Sequence, residues 1–170
     1  MSKISPLAFI DPEAKIGENC EIGPFCFIDK NVEIGDNNVL MNSVSVLYGA
    51  RIGNGNVIFP GAVISAVPQD LKFQGEDTTA EVGDNNKIRE NVTINRGTAA
   101  KGKTCVGSGN LLMESVHVAH DAFVGNDCII GNGTKLAGEI IIDDHAIISA
   151  NVLMLSLIHI SEPTRHLRIS

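Results

Sequence analysis

The chain has 170 residues, 17 of them Gly, with six Phe, one Tyr and no Trp, and a formal charge of −7. That length fits one folding unit, and a core poor in aromatics has to be built from Ile, Val, Leu and Ala in thin layers. The acidic balance excludes a nucleic-acid binder, which needs a basic stripe; no run approaches the roughly 18 apolar residues of a membrane span, and no signal-peptide pattern opens the chain. The expectation is a cytoplasmic protein that binds no nucleic acid and makes no membrane insertion.

Along the chain, every sixth residue from Ile4 through Ile10, Ile16 and Ile22 to Ile64 is aliphatic without a gap. Four places after many of these comes a small residue, as at Cys20, Cys26, Ala50 and Ala62. A period of six fits neither a helix nor a plain alternating strand. It predicts an all-β chain of short strands joined by tight turns, a hexapeptide-repeat solenoid with parallel strands. One hexad cannot bury its aliphatic side chain alone, but three closing a triangular coil point three such side chains inward, and stacked coils make the core continuous. The expected prism is about 35 Å tall at ~4.8 Å per stacked strand.

Two stretches leave the pattern. Residues 66–80, AVPQDLKFQGEDTTA, and 97–105, GTAAKGKTC, are predicted loop excursions, and the sixfold phase resumes after each, at Val82 and at Val106, running on to Met154. Exposed loops on a rigid scaffold are where binding residues concentrate.

After the second excursion come His117 and His120, with Asp121 next to the latter. They read as surface histidines, as a metal pair with His145 as third ligand, or as a general base held by a carboxylate. No further ligand stands at a persuasive spacing, so no metal site is expected. Neighbouring strand residues point to opposite faces, so a His120–Asp121 pair requires a corner in the backbone. Cys20, Cys26 and Cys128 fall in the small interior slots; with Cys105 they lack zinc spacing and are expected to be reduced thiols.

Three segments go further: VPQDLKFQGE at 67–76, NKIRENVTINRGT at 86–98 and GNLLMESVHVAHDAFVGN at 109–126. With the hexads of residues 4–154, the chain resembles the UDP-N-acetylglucosamine acyltransferase family. The resemblance implies a left-handed parallel β-helix, against the general preference for right-handed crossovers. It also implies transfer of a 3-hydroxyacyl chain from acyl carrier protein to the glucosamine 3-hydroxyl of UDP-N-acetylglucosamine, the first step of lipid A biosynthesis. No cofactor is implied beyond the carrier-protein thioester, and active sites lie between the prisms of a homotrimer. Carried over by motif, His120 is the base, Asp121 orients it, and the Gly138 backbone N–H stabilises the oxyanion. Asp70 and Lys72 position substrate, with Gln69 and His117 as further contacts. Where some relatives carry His, this chain has Asn95 and Glu139. The alternatives are the sibling UDP-3-O-acylglucosamine N-acyltransferase, which carries an extra N-terminal uridine-binding domain, a metal-dependent hexapeptide-repeat hydratase, and a purely structural solenoid.

After NVLM at 151–154 such relatives continue with a His-Gln-Phe motif, further coils and a helical domain, whereas this chain reads LSLIHISEPTRHLRIS. The expected organisation is therefore an acyltransferase β-helix over residues 1–154, lacking those C-terminal parts, and a non-native read-through tail over 155–170, with a short native cap as the other reading. Weak or absent activity is expected.

Overall fold

The computed structural model describes residues 2–155 and the backbone of residues 159–160. Most of the segment read as a non-native tail lies outside the described residues.

Most hexads form a two-residue strand whose first residue faces out and whose second faces in. Glu21–Ile22, Phe27–Ile28 and Lys87–Ile88 all pair an exposed side chain with a buried one. The strands assemble into three eight-stranded sheets in which each strand pairs with the one three places later, in parallel register, as Lys3–Ile4 does with Glu21–Ile22. No helix occurs among the described residues, and the architecture is the left-handed parallel β-helix that the resemblance implies. The core is the column of inward aliphatics, including Ile28, Leu40, Ile58, Ile94, Leu112 and Leu136. At the open N-terminal end this burial fails, and Ile4 is 47% exposed.

A left-handed backbone closes the corners. Asn19, Asn31, Asn37, Asn85, Asn91 and Asn151 all have positive φ, and Gly55, Gly61 and Gly133 occupy equivalent turns. Asn and Gly tolerate this region best, so the coil turns three residues after each inward aliphatic wherever the sequence supplies one of them.

One corner also carries a polar feature that the aliphatic period conceals. Asn38, Asn56, Asn86 and Asn110 are buried and bonded in series, each Oδ1 accepting the backbone N–H of the residue in the next coil at 2.7–2.9 Å.

Stacked partners lie 18 positions apart in regular coils, 30 across the first excursion and 24 across the second. The excursions therefore insert whole hexads, which is why the phase survives them. They are also shorter than predicted. The first lies between Val63–Ala66 and Thr79–Val82, and the second between Thr93–Asn95 and Lys103–Val106. Ala66, Thr79, Ala80 and residues 103–105 are strand, because their ladder partners hold them there.

Candidate active site

His120 and Asp121 follow the strand His117–Val118, at the corner where the second sheet turns towards the third. Asp121 has φ 60. It stands at the regular left-handed turn position, and that twist brings two adjacent side chains together instead of splaying them. His120 Nδ1 and Asp121 Oδ2 are 2.8 Å apart, with the imidazole 19% exposed and the carboxylate fully covered.

The second excursion covers Asp121. Thr98 donates to Oδ1 through its backbone N–H at 2.9 Å and to Oδ2 through its hydroxyl at 2.6 Å. The Asp121 N–H in turn donates to Thr104 Oγ1 at 2.8 Å, and Lys101 Nζ reaches the Asp121 carbonyl at 3.3 Å. Burial alone would raise the pKa of this carboxyl. The hydrogen bonds from Thr98 and His120 outweigh burial, and the group is held below the usual carboxylate value. Asp121 is therefore ionised at neutral pH.

Gly138 sits one coil beyond His120. A Cβ there would lie 2.7 Å from His120 Cε1 and 2.8 Å from Nε2. The imidazole thus rests on a glycine because no side chain fits beneath it. With Nδ1 tied to a carboxylate, the ring can present Nε2 as the proton acceptor. Glu139 donates its backbone N–H to the His120 carbonyl at 3.1 Å, fixing the same corner from above.

His117 lies on the outer face of the second sheet, with Thr93 and Lys135 as its ladder neighbours. Its Nδ1 is 2.7 Å from Thr93 Oγ1. Burial, then the positive charge of Lys135 and the proximity of His120, push its pKa down, so the ring is neutral. His145 instead meets Asp127, 3.8 Å away at another corner. The three histidines do not converge, and among the described residues no three His, Cys, Asp or Glu side chains are placed to hold a metal ion.

Asp70, Lys72 and Gln69 belong to the first excursion. Asp70 Oδ1 accepts the Lys72 N–H at 2.9 Å, and the Asp70 carbonyl accepts the Phe73 N–H at 3.0 Å, a local turn that leaves Gln69 and Lys72 exposed. None of the three shares a hydrogen bond with His117 or His120 among the described residues. Arg96 pins this loop to the prism, its guanidinium stacked on Phe73 and on Tyr48 at 5.2 and 5.4 Å, while Asn95 Nδ2 holds the Val67 carbonyl at 3.0 Å. Sequence reasoning missed Thr98, Thr104 and Arg96. Their only signal was membership of the second excursion and its approach. A broad groove, by contrast, runs along the third sheet between Lys15 and Phe123 and does not touch His120.

No family model matches the sequence. Solved structures do. LpxA, a UDP-N-acetylglucosamine acyltransferase from Bacteroides fragilis, is 73% identical, with a TM-score of 0.89 over 91% of this chain and 60% of that one. The UDP-N-acetylglucosamine acyltransferase of Francisella novicida is 44% identical, with a TM-score of 0.86 over 88% of this chain and 55% of that one. LpxA from Acinetobacter baumannii is 37% identical, with a TM-score of 0.84 over 91% and 67%. The chain thus spans about 60% of the length of the Bacteroides fragilis protein.

Proposed function

This chain belongs to the UDP-N-acetylglucosamine acyltransferase family, and on that footing we propose that it moves a 3-hydroxyacyl group from acyl carrier protein to the 3-hydroxyl of the glucosamine in UDP-N-acetylglucosamine, the first step of lipid A biosynthesis. The observation that carries this reading is the half-buried His120, paired with buried Asp121 and resting on Gly138.

The pair supplies what acyl transfer to a sugar hydroxyl needs. His120 Nε2 takes the hydroxyl proton as the sugar oxygen bonds to the thioester carbonyl carbon. The negative charge that moves onto the carbonyl oxygen is met by the Gly138 N–H, a type of donor worth about 2.7–4 kcal/mol. As the carbonyl re-forms, the C–S bond breaks and the thiolate takes the proton back from the imidazolium. Ionised Asp121 stabilises that imidazolium while it exists and holds the ring in the tautomer the first step requires. Asp70 and Lys72 position the substrate, and Gln69 and His117 make further contacts.

The protein works in the cytoplasm as a homotrimer, with sites between adjacent prisms. Supporting assembly with a second copy, large apolar side chains stand exposed on the prism: Phe9 is 53% exposed and stacks on Phe27, and Phe25 is 66% exposed, an arrangement typical of covered surfaces.

The test is acyl transfer at stoichiometric protein, with acyl carrier protein charged with a 3-hydroxyacyl chain and UDP-N-acetylglucosamine as acceptor, read by mass spectrometry. The expected result is slow O-acylation that disappears in His120→Ala. Transfer that ignores His120, or that occurs only on the amine of UDP-3-O-acylglucosamine, refutes the proposal.

A further inference from the structure

Asp121 is tied down far more heavily than a turn residue requires. Its carboxylate accepts three hydrogen bonds, from the Thr98 N–H, the Thr98 hydroxyl and His120, and its own N–H is taken by Thr104. Thr98 is itself 8% exposed and is held from both sides. Its carbonyl accepts the Gly102 N–H at 2.7 Å, closing the second excursion on itself. The preceding carbonyl, of Gly97, accepts the Thr78 hydroxyl at 2.6 Å, from the end of the first excursion. A Cβ on Gly97 would meet the Lys103 backbone at 2.3 Å, so the loop is packed against its own exit strand.

We propose that Thr98 is a positioning residue for the reaction: the second excursion exists to deliver its two donors to Asp121, fixing the carboxylate so that Oδ2 faces His120 Nδ1 and Nε2 is left open as the proton acceptor. The inference deepens the acyl-transfer reading and rests on it.

The geometry explains why both donors are needed. A buried carboxylate held only by His120 could rotate, or take up a proton, and either change frees the imidazole to adopt the other tautomer. The backbone N–H on Oδ1 and the hydroxyl on Oδ2 stop that rotation, because the two oxygens are engaged from fixed directions. The same donors favour the charged form of the carboxylate. The other charged or titratable groups around His120 are Lys101 on the second excursion, His117 and Lys135 on the second sheet, and Glu139 one coil beyond. None of them is hydrogen-bonded to the Asp121 carboxylate among the described residues, so besides His120 itself Thr98 is the group that sets its state. The hydrogen bonds Thr78–Gly97 and Thr98–Asp121 also join the first excursion to His120 through a short relay.

The experiment is a carbon and nitrogen magnetic resonance titration of the whole chain, following the Asp121 carboxyl carbon and the two His120 ring nitrogens in the unaltered protein, Thr98→Val, Thr98→Ala and Thr98→Ser. The expected result is a rise of the Asp121 midpoint and loss of the single Nδ1-protonated tautomer in Thr98→Val and Thr98→Ala, with both restored in Thr98→Ser. Where transfer is measured, kcat falls about 10- to 100-fold in Thr98→Val while KM for the sugar nucleotide is unchanged. A folded Thr98→Val or Thr98→Ala protein with the unaltered midpoint and tautomer overturns the proposal, and if Val prevents folding the smaller Ala decides. Transfer unaffected by His120→Ala defeats the acyl-transfer reading instead, and the titration still judges Thr98 independently of it.

Discussion

Replacing Asn56 with Ala should destabilise this protein far more than the same change at an exposed asparagine, and the structure gives the size of the difference. Asn56 Oδ1 accepts both the N–H and the side-chain amide of Asn86, at 2.9 and 3.0 Å, and Asn56 Nδ2 donates to the Gly83 carbonyl at 2.9 Å. Asn56→Ala leaves two donors and one acceptor without partners at a site where Asn56 and Asn86 are both fully buried. Each buried orphan costs about 1–3 kcal/mol. The void left by the amide is polar and can admit water that relieves part of the loss, so a net cost of about 3–5 kcal/mol is expected. Asn126 is the control: its Oδ1 accepts the Ser108 N–H at 2.8 Å and its Nδ2 donates to Asp144 at 3.1 Å, but it is exposed. Asn126→Ala should cost less than about 1 kcal/mol because water replaces the lost partners. Urea denaturation followed by circular dichroism measures both. If the two variants unfold at the same urea concentration, the buried series is not what holds that corner.

Three further outcomes follow from the site. His120→Ala should lower acyl transfer by about 10²–10⁴ with the circular dichroism spectrum unchanged, since the role proposed for it is proton transfer and not packing. Gly138→Ala should also depress kcat. The imidazole would have to retreat by roughly 0.7 Å to restore ordinary contact with the new Cβ, and displacements near 1 Å cost about 100-fold; an unaffected rate would show that the ring does not rest there. For pH, the folded-state pKa of His117 is depressed below its ordinary value of 6.5. The unfolded chain therefore binds the proton first as pH falls, and stability should decline from about pH 7 downward through that ordinary value. His117→Gln should flatten the decline in melts recorded between pH 7 and 5.

Much of the fold could be read directly. The recurrence of Ile16, Ile22 and Ile28 at every sixth place states which side chain of each short strand is buried, because burial within a hexad is decided locally by alternation of the two strand residues. The spacing of 18 between His120 and Gly138 even places one above the other, since no excursion intervenes. The expected corner at His120–Asp121 appears as a positive φ at the regular turn position, a slot that the sequence often but not always fills with Asn or Gly. The buried asparagines share an interior column with Cys20 and Cys128, but the aliphatic period passes over them.

What the sequence could not announce is the set of contacts that depend on how far each excursion shifts one coil against the next. Thr98 lies 23 residues before Asp121, a separation no repeat singles out, and it meets the carboxylate only because the inserted hexad folds back across the corner. Arg96 reaches Phe73 and Tyr48 only once both excursions are in place. The sequence by itself determined the column, through a period that local burial enforces. The tertiary structure alone decided what grips His120 and Asp121, because hydrogen bonds between coils are selected by loop length and left-handed turns, and a hydrophobic period carries neither.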